Sequence, residues 1–200
     1  MEKLNRKMTE IPILEASNRL YFYGRLVILL IIASFSWQLI PASLASNAAG
    51  ESFLHLINLP FHEAGHILFR PFGALITSLG GSLGQLLMPL VCLFVLRFKT
   101  HDAFGAAVCL WWFGENLLDM APYINDARSL TLPLIGGNFG YTSPYGFHDW
   151  EFILSESGML QWDHTLASIA HVSGSVVMLS GMAGCGYWLW KQSRLLGKAP

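Results

Sequence analysis

The sequence predicts an all-α fold, a polytopic membrane bundle of helices with four to five spans. Its 200 residues are 53% hydrophobic and only 12% charged, which is unlike the composition of a soluble globular domain. The charged residues cluster at the ends of apolar runs, several of which approach the length that a helix needs to cross a bilayer. We therefore expect one integral-membrane domain over residues 1–200, in contact with the lipid bilayer.

The apolar runs give the expected helices in chain order. For the first of them a signal peptide is the alternative, because Ser43-Leu44-Ala45 resembles a cleavage site. Two polar segments flank or interrupt the runs, residues 1–23 and residues 125–164, and the second is expected to be a loop or lid. The apolar stretches are residues 26–40, 53–69, 72–78, 86–96, 103–124 and 165–190.

The strongest chemical signal is His62-Glu63-Ala64-Gly65-His66, the HExxH pattern, inside an apolar stretch. Residues four apart share one face of a helix, so both imidazoles can bind one ion, and two neutral imidazoles suit zinc. Glu63 follows the first ligand and can act as general base toward a metal-bound water. A structural histidine pair with an incidental glutamate is the competing interpretation.

A hydrolytic zinc site needs three protein ligands and one open position. Asp119 is the preferred third ligand, because a carboxylate deep in a membrane span needs a cation. Asp126 shares its helical face seven residues later, and His148 with Asp149 forms a further pair in the polar segment. These three remain alternatives, so the sequence leaves the third ligand open.

The Lys and Arg residues favour one arrangement of the spans. If every apolar stretch crosses once, they divide seven to five between the two sides and set no orientation. If residues 51–96 make one net crossing, because the HExxH helix or the segment after it is re-entrant, ten of the twelve share a side. We therefore expect both termini in the cytoplasm and residues 125–164 on the opposite side.

Other features restrict the function without identifying it. The net charge of −1 gives no indication of nucleic-acid binding. Cys92, Cys109 and Cys185 lie inside apolar segments without zinc-ligand spacing, so buried inert thiols are expected. His171 lies on a helix face with small residues at four-residue spacing, where a packed, hydrogen-bonded histidine is expected.

Three motifs together resemble the site-2 protease family of intramembrane zinc metalloproteases. They are the HExxH pattern, the glycine-rich stretch Gly80-Gly81-Ser82-Leu83-Gly84-Gln85, and Asn116-Leu117-Leu118-Asp119. The sequence departs from the family pattern in having Gln85 in place of Asn, and Met120 in place of Gly after the aspartate. Residues 126–150, from Asp126-Ala127-Arg128 to His148-Asp149-Trp150, resemble those of a small bacterial branch of such membrane proteins.

The resemblance implies a bound Zn²⁺, a bacterial inner-membrane location, and hydrolysis of a peptide bond in a membrane-spanning protein substrate. Glu63 would take the proton of the attacking water, and Gln85 could bind the unwound substrate strand. Two other functions remain. A di-iron membrane oxygenase would need several short histidine clusters, and only His62 and His66 form one. A non-catalytic metal-binding scaffold would need no base at Glu63.

Overall fold

The protein's computed structural model describes residues 18–134, 137–142 and 148–196, and within these ranges it is all-helical, as the sequence predicts. One isolated β-bridge joins Pro133 and Phe139. Most of the polar segment at 1–23 lies outside the described residues. The helices are α1 (Arg19–Leu39), α2 (Phe53–Phe69), α3 (Ala74–Phe94), α4 (Ala103–Asn125), α5 (Asp149–Glu156) and α6 (Asp163–Leu196).

Three segments are long and apolar enough to cross a membrane, namely Arg19–Leu39, Ala74–Lys99 and Leu160–Leu196. The second of them extends α3 by a π-helical turn, Val95–Lys99, and the third begins with a 3₁₀ turn before α6. The coarse prediction of membrane-length helices is confirmed, whereas the number of spans stays a prediction. α2 has only 17 residues, and polar residues in the second half of α4 lower its hydropathy.

α4 and α6 form the main helix pair of the bundle, and small residues bring their backbones together. A Cβ at Gly114 would lie 2.7 Å from the carbonyl oxygen of Gly174. A Cβ at Gly181 would lie 2.6 Å from the backbone nitrogen of Trp111. Because residue 114 meets residue 174 and residue 111 meets residue 181, the two helices run antiparallel with close backbone contact.

Polar contacts define the two ends of the bundle. At one end Arg25 reaches Asp102 at 3.4 Å and Gln192 at 3.1 Å, so the start of α1, the start of α4 and the end of α6 meet. At the other end His171 Nε2 donates to the carbonyl of Ile40 at 2.9 Å, as expected of a packed histidine. We call the first the basic end, since Arg25, Arg97, Lys99, Lys191 and Arg194 lie there or next to it.

α2 begins and ends at the end opposite the basic end. α1 reaches that end at Ile40, and α2 starts after a short connection. α3 finishes at the basic end, where the carbonyl of Leu96 accepts from the backbone N–H of Asp102 at 2.8 Å. α3 must therefore start at the opposite end, and α2 joins it there through the turn Arg70–Phe72. Both ends of α2 thus lie toward the end opposite the basic end, and its motif packs on α3.

Candidate metal centre

α2 carries the HExxH pattern on a well-defined helix. Ser52 caps its first turn by accepting from the backbone N–H of Leu54 at 3.0 Å. The four-residue spacing places the rings of His62 and His66 edge to face, with centroids 4.8 Å apart. His62, Glu63 and His66 each offer a ligating atom, and these three atoms lie within 4.8 Å of one another.

Both motif histidines have their Nδ1 atoms fixed by acceptors. His62 Nδ1 donates to Gln85 Oε1 at 2.7 Å, and His66 Nδ1 donates to the backbone carbonyl of Thr77 at 2.8 Å. A ring that carries its proton on Nδ1 has the lone pair of Nε2 free for a metal. Gln85 therefore orients His62 and is buried, instead of being available to a substrate strand as the sequence suggested.

Asp149 supplies a carboxylate to the two free nitrogens. Its Oδ2 atom lies 3.3 Å from His62 Nε2 and 3.3 Å from His66 Nε2. Ligand atoms at ordinary zinc distances in a tetrahedral site are separated by about 3.3 Å. If no ion were bound, these contacts would be hydrogen bonds from rings protonated on Nε2, which would hold the pKa of Asp149 below its usual range although burial raises it.

Asp119 is placed elsewhere. Its Oδ1 lies 2.8 Å from His55 Nδ1, and its Oδ2 accepts from the side-chain amide of Asn58 at 3.0 Å. Both partners precede the HExxH pattern on α2, and His55 is two helical turns before His62. The structure therefore does not bring Asp119 to the motif histidines, and the carboxylate beside them is Asp149, one of the alternatives that the sequence left open.

The remaining alternatives have structural roles at this end of the bundle. Asp126 accepts from Ser129, Thr131 and the backbone N–H of Leu132, at 2.6 to 2.9 Å. Burial alone would raise the pKa of Asp126, but these hydrogen bonds lower it, so the carboxylate organises the turn after α4. His148 is buried, which lowers its pKa, and its Nδ1 caps α5 by accepting from Glu151.

Glycines let α3 approach the motif. A Cβ at Gly81 would lie 2.5 Å from His62 Nε2 and 2.6 Å from His66 Nε2. A side chain there would occupy the space beside the two free nitrogens. Cβ atoms at Gly65 and Gly84 would clash with backbone carbonyl groups of the facing helix. The glycine-rich stretch thus serves both the close contact of α2 with α3 and the space for an ion.

A cavity of about 490 Å³ opens over the motif. It contains Glu63, which is exposed to it, and it extends along α2 as far as His55. Tyr123 also faces it, although sequence inspection did not single out this residue. His55 was missed as well; its position seven residues before His62, on the same helix face, was the available signal. The cavity is lined by Asn47, Gly50, Glu51, His55, Leu59, His62, Glu63, His66, Thr77, Ser78, Gln85, Asp119, Met120, Tyr123, Leu132, Pro133, Leu134 and Asp149.

A second polar cluster is buried next to this cavity. Asn58 donates 3.0 Å hydrogen bonds to both Glu115 and Asp119, and it accepts from Trp112 Nε1 at 2.8 Å. Glu115 is fully buried, and its Oε1 has no hydrogen-bond partner among the described residues. Glu115 and Asp119, in the second half of α4, therefore find their polar partner in Asn58 near the start of α2. This contact lies away from the two motif histidines.

The donor set fits zinc. Two imidazole nitrogens with fixed tautomers and one carboxylate oxygen match the usual three protein ligands of a catalytic zinc, and the cavity leaves room for a fourth. If no metal bound, a hydrogen bond from each Nε2 to Asp149 would need a proton on both rings, and two cations would then lie side by side against one carboxylate. Neutral imidazoles around a cation avoid that repulsion.

Comparisons of the chain with models of protein families, with curated proteins and with solved structures found no match.

Proposed function

We propose that the protein is an intramembrane zinc metalloprotease that hydrolyses a peptide bond of a membrane-spanning protein. The observation that carries the proposal is the position of Asp149 Oδ2, 3.3 Å from the Nε2 atoms of both His62 and His66, whose Nδ1 atoms are engaged. His62, His66 and Asp149 would hold the ion. When bound, Zn²⁺ supplies Lewis acidity toward the scissile carbonyl and acidifies a water.

Glu63 has the position of the general base. It follows the first ligand in sequence, belongs to the same group of side chains, and is exposed to the cavity where water and substrate would meet. As the water oxygen bonds to the carbonyl carbon, Glu63 accepts the proton that the water loses. It then delivers that proton to the amide nitrogen as the C–N bond breaks, which gives a carboxylic acid and an amine.

The helix arrangement supports a site inside the bilayer. α1, α3, α4 and α6 would cross the membrane, and α2 would enter from the end opposite the basic end and return to it. This arrangement has four spans, and ten of the twelve Lys and Arg residues then share one side. That side would be the cytoplasm of a bacterial cell, and the metal centre would open toward the opposite side of the inner membrane.

The cavity restricts the form of the substrate. A volume of about 490 Å³ is in the range of small-ligand pockets and can admit a few residues of extended chain. A helical substrate would hide its carbonyl groups in hydrogen bonds, so a membrane-spanning partner must unwind locally before cleavage. Exposed apolar side chains on α2, such as Leu56, Ile67 and Leu68, would face lipid or the arriving substrate.

Metal content and cleavage can be tested together. We expect one zinc per chain by mass spectrometry in the purified wild-type protein and in Glu63→Gln, and none in His66→Ala. Membranes that contain the wild-type protein should show new protein N-termini that are absent with Glu63→Gln and are suppressed by 1,10-phenanthroline. Full zinc occupancy in His66→Ala would refute the metal site. Zinc without any Glu63-dependent cleavage would favour the non-catalytic metal-binding scaffold.

A further inference from the structure

Tyr123 places a hydroxyl group at the wall of the metal centre. It lies in the last turn of α4, and its oxygen accepts from the backbone N–H of Asp149 at 2.9 Å. Its ring packs on that of His148, with centroids 4.0 Å apart and planes inclined at 38°. The side chain is only partly buried, and it faces the cavity that also contains Glu63. Two contacts therefore fix the phenol next to the proposed ligand.

The hydrogen bonding of Tyr123 leaves its proton available. A phenol has one O–H donor and an oxygen that accepts. The Asp149 N–H uses an acceptor position of the oxygen, so the O–H remains able to donate in another direction. In the resting site the Asp149 carboxylate can accept it. A tetrahedral intermediate of amide hydrolysis would bring a new negative oxygen into the cavity, and such an oxyanion is a strong acceptor.

Other polar groups of the cavity are less suited to this task. Thr77 Oγ1 already donates to the carbonyl of Gly73 at 2.8 Å. Gln85 is buried and occupied with His62. His55 lies two helical turns from His62 along α2, about 10 Å at the rise of an α-helix. Tyr123, by contrast, has an O–H group, and its oxygen accepts a hydrogen bond from the residue proposed as the third ligand.

We propose that Tyr123 is a further catalytic residue, whose hydroxyl donates a hydrogen bond to the oxyanion of the tetrahedral intermediate. The inference rests on the proposed hydrolase function. It means that α4 contributes a catalytic side chain in addition to the residues of α2 and α5. No bond to Tyr123 forms or breaks, and its proton stays on the phenol. Since the negative charge develops only after water has attacked, the hydrogen bond should stabilise the intermediate more than the bound substrate.

The test compares Tyr123→Phe with the wild-type protein on a substrate found by the N-terminus experiment. We expect kcat to fall on the order of 100-fold, the typical cost of losing one oxyanion donor, with KM and zinc content unchanged. Affinity for a phosphinic peptide, which mimics the tetrahedral centre, should fall by a similar factor. Affinity for a thiol peptide, which binds zinc without a tetrahedral oxygen, should not change. Tyr187→Phe, a change on an exposed face of α6, is the matched control.

Three results would overturn the inference. Zinc loss in Tyr123→Phe would mean that the hydroxyl only positions Asp149. Unchanged kcat would remove any catalytic role. A fall in kcat without a matching loss of affinity for the phosphinic peptide would mean that Tyr123 does not stabilise the tetrahedral intermediate. Failure of the proposed hydrolase function is distinguishable from these, because the wild-type protein itself would then show no Glu63-dependent cleavage.

Discussion

Asp119 Oδ1 lies 2.8 Å from His55 Nδ1, across the contact between α2 and α4. His55 is therefore the partner that the structure gives to one oxygen of this buried carboxylate of α4. The same carboxylate also accepts from Asn58, so both of its oxygens are occupied. Mutation can therefore distinguish Asp119 from Asp149, the two candidates for the third ligand.

We predict that Asp149→Asn loses zinc and that Asp119→Asn keeps it. Asp149 is the carboxylate beside both Nε2 atoms, whereas Asp119 is engaged two turns away. Affinity should fall more than about 100-fold in Asp149→Asn, because loss of groups that only orient ligands already costs about 10- to 100-fold. Competition with a chelator of known zinc affinity measures it. Loss of zinc from Asp119→Asn with retention in Asp149→Asn would restore the assignment made from sequence.

Gly81→Ala should empty the metal site. The added Cβ would lie 2.5 and 2.6 Å from the Nε2 atoms of the two histidines, in the space that the ion needs. Gly186→Ala is the matched control, because it also lies within a helix and a Cβ there meets nothing within 4 Å. We expect zinc to be absent from the first variant and stoichiometric in the second. Equal zinc content in both would contradict the proposed position of the ion.

Gln85→Ala should weaken zinc binding by about 10- to 100-fold without abolishing it. The change removes the acceptor that holds the Nδ1 proton of His62, so the ring can rotate or change its tautomer. Chelator competition again provides the measurement. Gln161→Ala, on an exposed 3₁₀ turn, is the control and should leave the affinity unchanged. Unaltered affinity in Gln85→Ala would show that His62 needs no support from α3.

Single cysteines at Thr100 and Thr142 should be labelled from opposite sides of the membrane. Thr100 follows α3 at the basic end, and Thr142 belongs to the loop that follows α4 at the other end; both are exposed. The measurement uses a membrane-impermeant maleimide on sealed vesicles of each orientation, in a background without Cys92, Cys109 and Cys185. Labelling of both positions from one side would refute the four-span arrangement with a returning α2.

The sequence predicted the parts of the site that depend on local spacing. His62 and His66 are four residues apart, and helical geometry alone brings them together. The close approach of α3 was also foreseeable, because Gly80, Gly81 and Gly84 leave the backbone uncovered. Both features are determined by residues that are close in sequence, within one helix or within two consecutive helices.

The carboxylate that lies beside the two histidines could not be predicted in the same way. Asp119 and Asp149 are both carboxylates without a local cation in sequence, and depth in an apolar stretch favoured Asp119, which the structure places beside His55. The deciding contacts are long-range. His55 and Asn58 take Asp119, while the hydrogen bond from the Asp149 backbone to Tyr123 fixes the start of α5 over the motif. Such pairings depend on how helices meet, which spacing does not encode.

His62 and Asp149 are 87 residues apart in the chain, yet they meet at one point. During synthesis the two histidines therefore emerge, with α3 and α4, long before the carboxylate proposed as their third partner. A chain that stops before residue 149 would carry the HExxH pattern but only two of the three proposed ligands. On the proposed function, cleavage would thus be withheld until the first four helices and the start of α5 have been made, and shorter chains would remain inactive toward neighbouring membrane proteins.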